Sequence, residues 1–363
     1  MKATKIFMMA ALALTFAACS NDDNDIAQQP DNNEITITAT VSSDDGATTR
    51  ALSIDGSNIA STWEADDQFA ILFNDGTSNV KSEATVSSIN GSTVTITFTI
   101  PSSLANNTAC KIVYPASAAN AANTGADVAT ALATQDGTIG NCPEVRVGTA
   151  TIDKDNHNLA GVTKLVAQNA IFKFTTKNAD GSAPINVKPL TVTIGAQNYV
   201  ITPASATSEL FVALPPIASQ TVSFTATDGR KTYTCSKDGI SFDKGKYYQS
   251  TLKMALNKIT WNSFPTSGDC ESFSQDGVTL TAEMIFWERG EIEASYEDGK
   301  FTSTVGNFTK IEITADHLSS WSGWTKSGKK ATWTGNASTV TFRPSQSWEV
   351  AIDGLSSMVF YFQ

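Results

Sequence analysis

Beyond residue 33 the chain alternates apolar and polar residues at period two. The clearest runs are EITITATV (34–41), STVTITFTI (92–100), AIFKFTT (170–176), LTVTIG (190–195), QTVSFTAT (220–227) and FTKIEITA (308–315). Such runs, rich in Val, Ile, Thr and Phe, predict half-buried strands. Turn chemistry separates them: NDG (74–76), NG (90–91), ADGS (179–182) and TDGRK (227–231). The spacing predicts antiparallel β-sandwiches. The stretch PASAANAANTGADVATALATQDG (115–137) lacks a sustained apolar face and reads as a long loop carrying one short helical turn. Further strands are expected near 277–284, 331–334, 338–342 and 357–362. Composition shifts near Asn257, beyond which six of the seven tryptophans lie, and this sets a domain boundary there.

The N-terminus departs from this pattern. Lys2 and Lys5 precede a mostly apolar run from Ile6 to Ala18, too short for a bilayer span of about 20 residues, so residues 1–18 read as a signal peptide. FAAC, ending at Cys19, resembles the lipobox of bacterial lipoproteins, in which the cysteine is acylated and becomes the new N-terminus. The following acidic stretch (19–33) has little to bury and reads as a tether. Acidic residues directly after the cysteine resemble the surface-export signal of Bacteroidetes lipoproteins. That resemblance implies a lipid-anchored protein on the outer face of the outer membrane.

Charge and motifs narrow the chemistry. Against 36 acids stand 25 bases, giving −11, and loss of Lys2 and Lys5 with the leader makes the balance −13. A chain this acidic repels phosphate backbones, so nucleic acid is not expected as a partner. Cys110, Cys142, Cys235 and Cys270 show no CxxC spacing, and His157 and His317 are far apart, so no zinc or other metal pattern is present. Cys110 and Cys142 fit either a disulfide or buried free thiols. No GxSxG, HExxH or phosphate-cradling glycine loop occurs, and no cofactor or catalytic residue is assigned.

Two stretches carry a family resemblance. TTRALSIDGSNIASTWEADDQFAILF (48–73) resembles the start of fimbrillin-family proteins, where an Arg-Ala junction precedes a Trp and an acidic dipeptide that opens a strand. LFVALPPIASQTVSFTATDGRKTYTCSKDGISFDKGKYYQSTLKM (210–254) resembles the closing strands of that family's second domain, and KIVYPAS (111–117) also fits. The resemblance implies an all-β fold: tandem transthyretin-like antiparallel β-sandwich domains at 34–165 and 166–256. A small Trp-rich β-sandwich module at 257–363 follows, where a shaft subunit of the family would end near Met254. It further implies a lipoprotein that assembles with other fimbrial subunits by β-strand exchange.

Within SSDDGATTRALSIDG (42–56), Arg50 is the sole basic residue between Ile6 and Val80, which marks Arg50–Ala51 as a candidate processing site in an exposed loop. Cleavage there would detach EITITATV together with Cys19. The alternative is a loop arginine and a permanent first strand. Trp321 and Trp324, in SSWSGWTKSGKK, are candidate glycan contacts if their rings are exposed, or core cover if they are not. Glu288, Glu291, Glu293, Glu297 and Asp298 cluster in WERGEIEASYEDG, but the alternation of Glu291 and Glu293 suits a solvated strand face better than a glycosidase pair. Asp66 and Asp67 alone make a weak calcium loop. Two functions remain open: a fimbrial tip or accessory subunit or adhesin assembling by strand exchange, and a tethered glycan-binding lipoprotein that does not polymerise.

Overall fold

The computed structural model describes residues 33–43, 53–55, 58–60, 63–161, 164–294, 299–343 and 349–363. The expectations for Cys19, Arg50, Ala51, Glu297 and Asp298 fall outside these residues. The protein is all-β, with 65% of the described residues in strands. Every period-two run named above lies within or across a strand.

Eight strands of the N-terminal part are β1 (Glu34–Ser43), β2 (Gln68–Asn74), β3 (Asn79–Asn90), β4 (Thr93–Pro101), β5 (Thr108–Tyr114), β6 (Arg146–Asp153), β7 (Asn158–Ala160) and β8 (Lys164–Ala167). They pair in the order β7-β6-β8-β1-β4-β3-β2-β5, and β5 pairs back onto β6 from Thr108↔Ile152 to Tyr114↔Arg146. The ladder therefore returns on itself as a small closed barrel, where the sequence suggested an open sandwich. Alternation fixes which face of a strand is buried but is silent on whether two edge strands meet. Closure removes the edges. β2 reads as an unbroken apolar run because both of its faces are covered: Phe69, Ile71 and Phe73 fill the barrel, while Leu72 joins a second cluster outside it.

That second cluster is built by β9 (Ala170–Asn178), β10 (Leu190–Ile194), β11 (Gln197–Ile201), β12 (Glu209–Leu214), β13 (Ile217–Thr227), β14 (Lys231–Phe242) and β15 (Tyr247–Trp261). β9 pairs antiparallel with β12 and parallel with β15. β10 pairs with β11 and β13, and β13 with β14. The 115–137 stretch is a succession of short elements: 3-10 turns at Ala116–Ala118 and Ala121–Asn123, a two-residue pairing of Ala119–Asn120 with Gly125–Ala126, and a four-residue α-helical turn at Val128–Ala131. It runs from the barrel to the second cluster: Thr134 and Gln135 pair parallel with Val200 and Ile201, and Leu132 is fully buried in that cluster. Gln135, 8% exposed, uses its whole amide. Its Nε2 donates to the carbonyls of Leu132 (2.9 Å) and Ala213 (2.8 Å), and its Oε1 accepts from Ala213 N–H at 2.8 Å.

The third cluster gathers β16 (Asp269–Gln275), β17 (Val278–Phe286), β18 (Glu291–Ala294), β19 (Lys300–Ser303), β20 (Phe308–Leu318), β21 (Trp324–Ser327), β22 (Lys330–Ala337), β23 (Thr339–Thr341) and β24 (Glu349–Phe362). It is joined to the second by a strand rather than by a linker. β15 runs unbroken through Asn257, with Met254 in the second cluster and Ile259 and Trp261 in the third, and its end pairs with β24. Asp276 fastens the same junction, accepting from Arg230 Nε at 2.7 Å and Lys231 Nζ at 3.1 Å. Burial opposes its ionisation, yet the two cations outweigh that and hold the carboxyl below its usual range.

Cys110 faces the barrel interior and Cys142 the second cluster, so the two do not pair, and all four described cysteines are free thiols. Burial pushes the Cys110 thiol up to about 12. Burial also pushes Cys142 upward.

Two measurements check this packing. Gln135→Ala strips partners from a buried N–H and C=O and is expected to cost about 2 to 4 kcal/mol in denaturant unfolding. Glu312 on β20 accepts from Lys310 (2.6 Å), Lys330 (2.7 Å) and Tyr361 (3.0 Å). Burial opposes its charge, but these donors prevail and lower the carboxyl to about 2. A depressed carboxyl stabilises the fold above its unfolded value near 4.5, and the gain is lost as pH falls toward 2. The stability gap between wild type and Glu312→Gln should therefore narrow steadily from pH 5 to pH 2. A gap that stays constant would show that the charge of Glu312 plays no part.

Candidate functional site: the first strand and its groove

β1 shows the alternation of its sequence without exception. Ile37 and Val41 are fully buried and Ala39 and Ser43 nearly so, while the threonines between Ile35 and Val41 point toward solvent. β4 mirrors it with Val94, Ile96, Phe98 and Ile100. The two run antiparallel in nine registers from Glu34↔Pro101 to Ser42↔Thr93, which sets Ile37 across from Phe98, Ala39 from Ile96 and Val41 from Val94. Burying Ile37 and Val41 stabilises the seat by about 3 to 6 kcal/mol.

The other edge of β1 is held more sparsely. Only Ser42 and Ser43 pair with β8, in parallel. Midway along, Thr38 N–H donates to the His157 carbonyl at 3.1 Å, and His157 Nδ1 lies 3.2 Å from the Thr36 carbonyl. Without β1 the barrel would open between β4 and β8, baring Ile96, Phe98, Leu159 and Leu165 beside the β4 edge that β1 now covers over nine registers.

The chain beyond the Arg50 region is anchored without help from β1. The Trp63 ring lies 5.3 Å from Phe69 and 5.2 Å from Tyr114, and its N–H donates to the Ser92 carbonyl at 3.1 Å. Asp67, 2% exposed, accepts from the Tyr114 hydroxyl (3.1 Å) and from Glu64 N–H (2.9 Å). This carboxylate, one of the two weighed for calcium, thus organises the entry to β2, while Asp66 is exposed. Among the described residues no group of three or more His, Cys, Asp or Glu is placed to hold a metal ion.

Of the two alternatives left open for the C-terminal tryptophans, burial in the core holds for Trp321. Trp321 is 5% exposed and packs in the third cluster, 5.1 Å from Trp324 at 84° and 5.4 Å from Phe342. Trp324 is half-buried, its indole N–H donating to the Thr341 carbonyl at 2.9 Å. A Ser/Gly-rich loop signals surface, but here it folds its large rings over the open end of a small core. Glu291 and Glu293 alternate with buried Ile292 and Ala294, and Arg289 pairs with Glu291 at 3.3 Å. The two carboxylates thus share a half-buried face opposite Ile292 and Ala294. His157 and Lys154, which touch the seat of β1 or its surroundings, carry no sequence signal beyond a turn-rich DKDNHN.

Similarity to solved structures extends over about three-fifths of the chain. A fimbrial assembly protein from Parabacteroides distasonis is 12% identical with a TM-score of 0.35, covering 60% of this chain and 90% of that one. A C-terminally truncated tip fimbrial protein from Porphyromonas gingivalis is 13% identical with a TM-score of 0.29, covering 60% and 95%. A putative cell adhesion protein from Bacteroides uniformis is 14% identical with a TM-score of 0.32, covering 63% and 98%. No family model matches the sequence, and no curated protein matches it.

Trp321→Ala is expected to cost about 3 to 5 kcal/mol in guanidinium unfolding, as removal of a core tryptophan does. A loss under about 1 kcal/mol would return the ring to the surface.

Proposed function

We propose that the protein is a surface-displayed fimbrial tip or accessory subunit, or adhesin, that assembles with other fimbrial subunits by β-strand exchange. Acylation at Cys19 anchors the precursor to the outer membrane, and cleavage between Arg50 and Ala51 releases it. The observation that carries this reading is the seating of β1: a strand with a full antiparallel ladder to β4, buried Ile37 and Val41, and a sparse second edge. A cut after Arg50 leaves β1 held by non-covalent contacts alone, while Trp63 keeps the rest of the chain in place. The vacated groove offers unpaired backbone for affinity and alternate apolar seats for register, the chemistry of strand addition. The cut also removes seven acids and Arg50, so the charge of the lipidated form rises from −13 to −7.

A tip or accessory position is favoured over the shaft by β24. A subunit inside a strand-exchange polymer must give a strand as well as receive one. β24 is engaged on both edges, with β20 on one side and with β15 and β18 on the other, and Met358, Phe360 and Phe362 fill the third cluster. Giving it up would dismantle that cluster. The tethered glycan-binder reading draws no support from Trp321, whose ring is buried.

The test treats purified precursor with an Arg-specific protease in the presence of candidate partner subunits and follows denaturant-resistant ladders on gels. Ladders are expected from wild type and not from Arg50→Ala. Cleavage after Arg50 that leaves only monomer, or first cleavage at another site, would overturn the proposal.

A further inference from the structure

We infer that the hairpin formed by β6 and β7, with its turn at residues 153–157, is a latch that closes the second edge of β1 and sets how readily the strand leaves. Its purpose rests on the strand-exchange reading above, but its physical test does not.

Between Glu34 and Val41 the edge of β1 facing away from β4 has no ladder partner among the described residues, and the hairpin supplies the bonds there. His157 does so twice: its carbonyl accepts from Thr38 N–H, and its Nδ1–H donates to the Thr36 carbonyl. Its φ of 54° places it in the left-handed region, a conformation uncommon for a residue with a side chain. Asp153 supports that turn by accepting from the backbone N–H of Asn156 at 3.1 Å and from its side-chain amide at 2.8 Å.

Besides the two His157 bonds to β1, the hairpin is fastened to the rim of the barrel. Lys154 Nζ donates to the carbonyls of Ser102 (3.0 Å) and Leu104 (2.9 Å) in the turn between β4 and β5. From the same turn, Asn106 Oδ1 accepts from Lys154 N–H at 2.8 Å, its amide donates to Asp155, and Asn107 N–H donates to the Ile152 carbonyl at 2.9 Å. These bonds do not involve β1, whereas losing them loosens the turn that carries His157, while β6 itself stays paired with β5 and β7. An ammonium shared between two carbonyls is a charge-assisted fastening, stronger than a neutral pair. Lys154 therefore pins the latch without touching the strand it guards.

Hydrogen exchange on the intact chain reads the latch directly. In Lys154→Ala the amides of β1 should exchange about tenfold faster than in wild type, while those of β2 and β3 keep their rates. His157→Gly retains a residue at ease with positive φ but removes the ring bond, and should speed β1 alone by a smaller factor. Unchanged β1 exchange in both variants would overturn the latch. So would acceleration spread equally over β2 and β3, since a general loss of barrel stability requires no latch. The ladder assay separates the two ideas: ladders with unchanged β1 exchange sink the latch alone, and faster β1 exchange without ladders sinks strand exchange alone.

Discussion

A buried strand must have its backbone paired on both edges, and in this protein the barrel satisfies that requirement only while β1 stands between β4 and the β6–β7 hairpin. Everything else in the N-terminal part is covalently and sterically committed. β2 is covered on both faces, β5 closes onto β6, and Trp63 is locked against Phe69 and Tyr114. β1 alone enters from one chain end, carries its apolar residues on one face, and is followed by a segment with a lone arginine. The same nine-register ladder that stabilises the barrel becomes, once β1 departs, an exposed edge that a different strand of like pattern would satisfy equally well.

The remainder of the molecule is arranged as the opposite case. β15 passes from the second cluster to the third without a break, Asp276 ties the junction to Arg230 and Lys231, and β24 is paired on both edges. Through these shared strands the C-terminal part is built into the body rather than hung from it. The proposed exchange therefore falls on the first strand, whose second edge is bonded by the Lys154-fastened hairpin.

Much of this was legible in the sequence, and the rest was not for definite reasons. EITITATV and STVTITFTI reported their buried faces correctly because period two follows from strand geometry alone. That the two lie side by side, and that β5 closes onto β6, depends on contacts between residues far apart in the chain, to which a local pattern is blind. The composition shift near Asn257 gave no hint that one strand, with Met254 in the second cluster and Ile259 in the third, runs through it. Trp321 was ambiguous because Ser and Gly neighbours indicate a loop but not whether the loop folds back over a core. His157 was invisible as a contact of β1, since a backbone carbonyl carries no residue-type signature and DKDNHN reads only as a turn.

The replaceability of β1 is tested most directly by native mass spectrometry of protein cut after Arg50 and mixed with an excess of an isotope-labelled peptide of residues 34–43. Stoichiometric uptake of one labelled peptide, with loss of the resident N-terminal fragment and retention of the folded charge-state distribution, is expected. A cut protein that keeps its own fragment indefinitely under native conditions, or that unfolds when the fragment leaves and is not restored by the peptide, would contradict strand exchange at this groove.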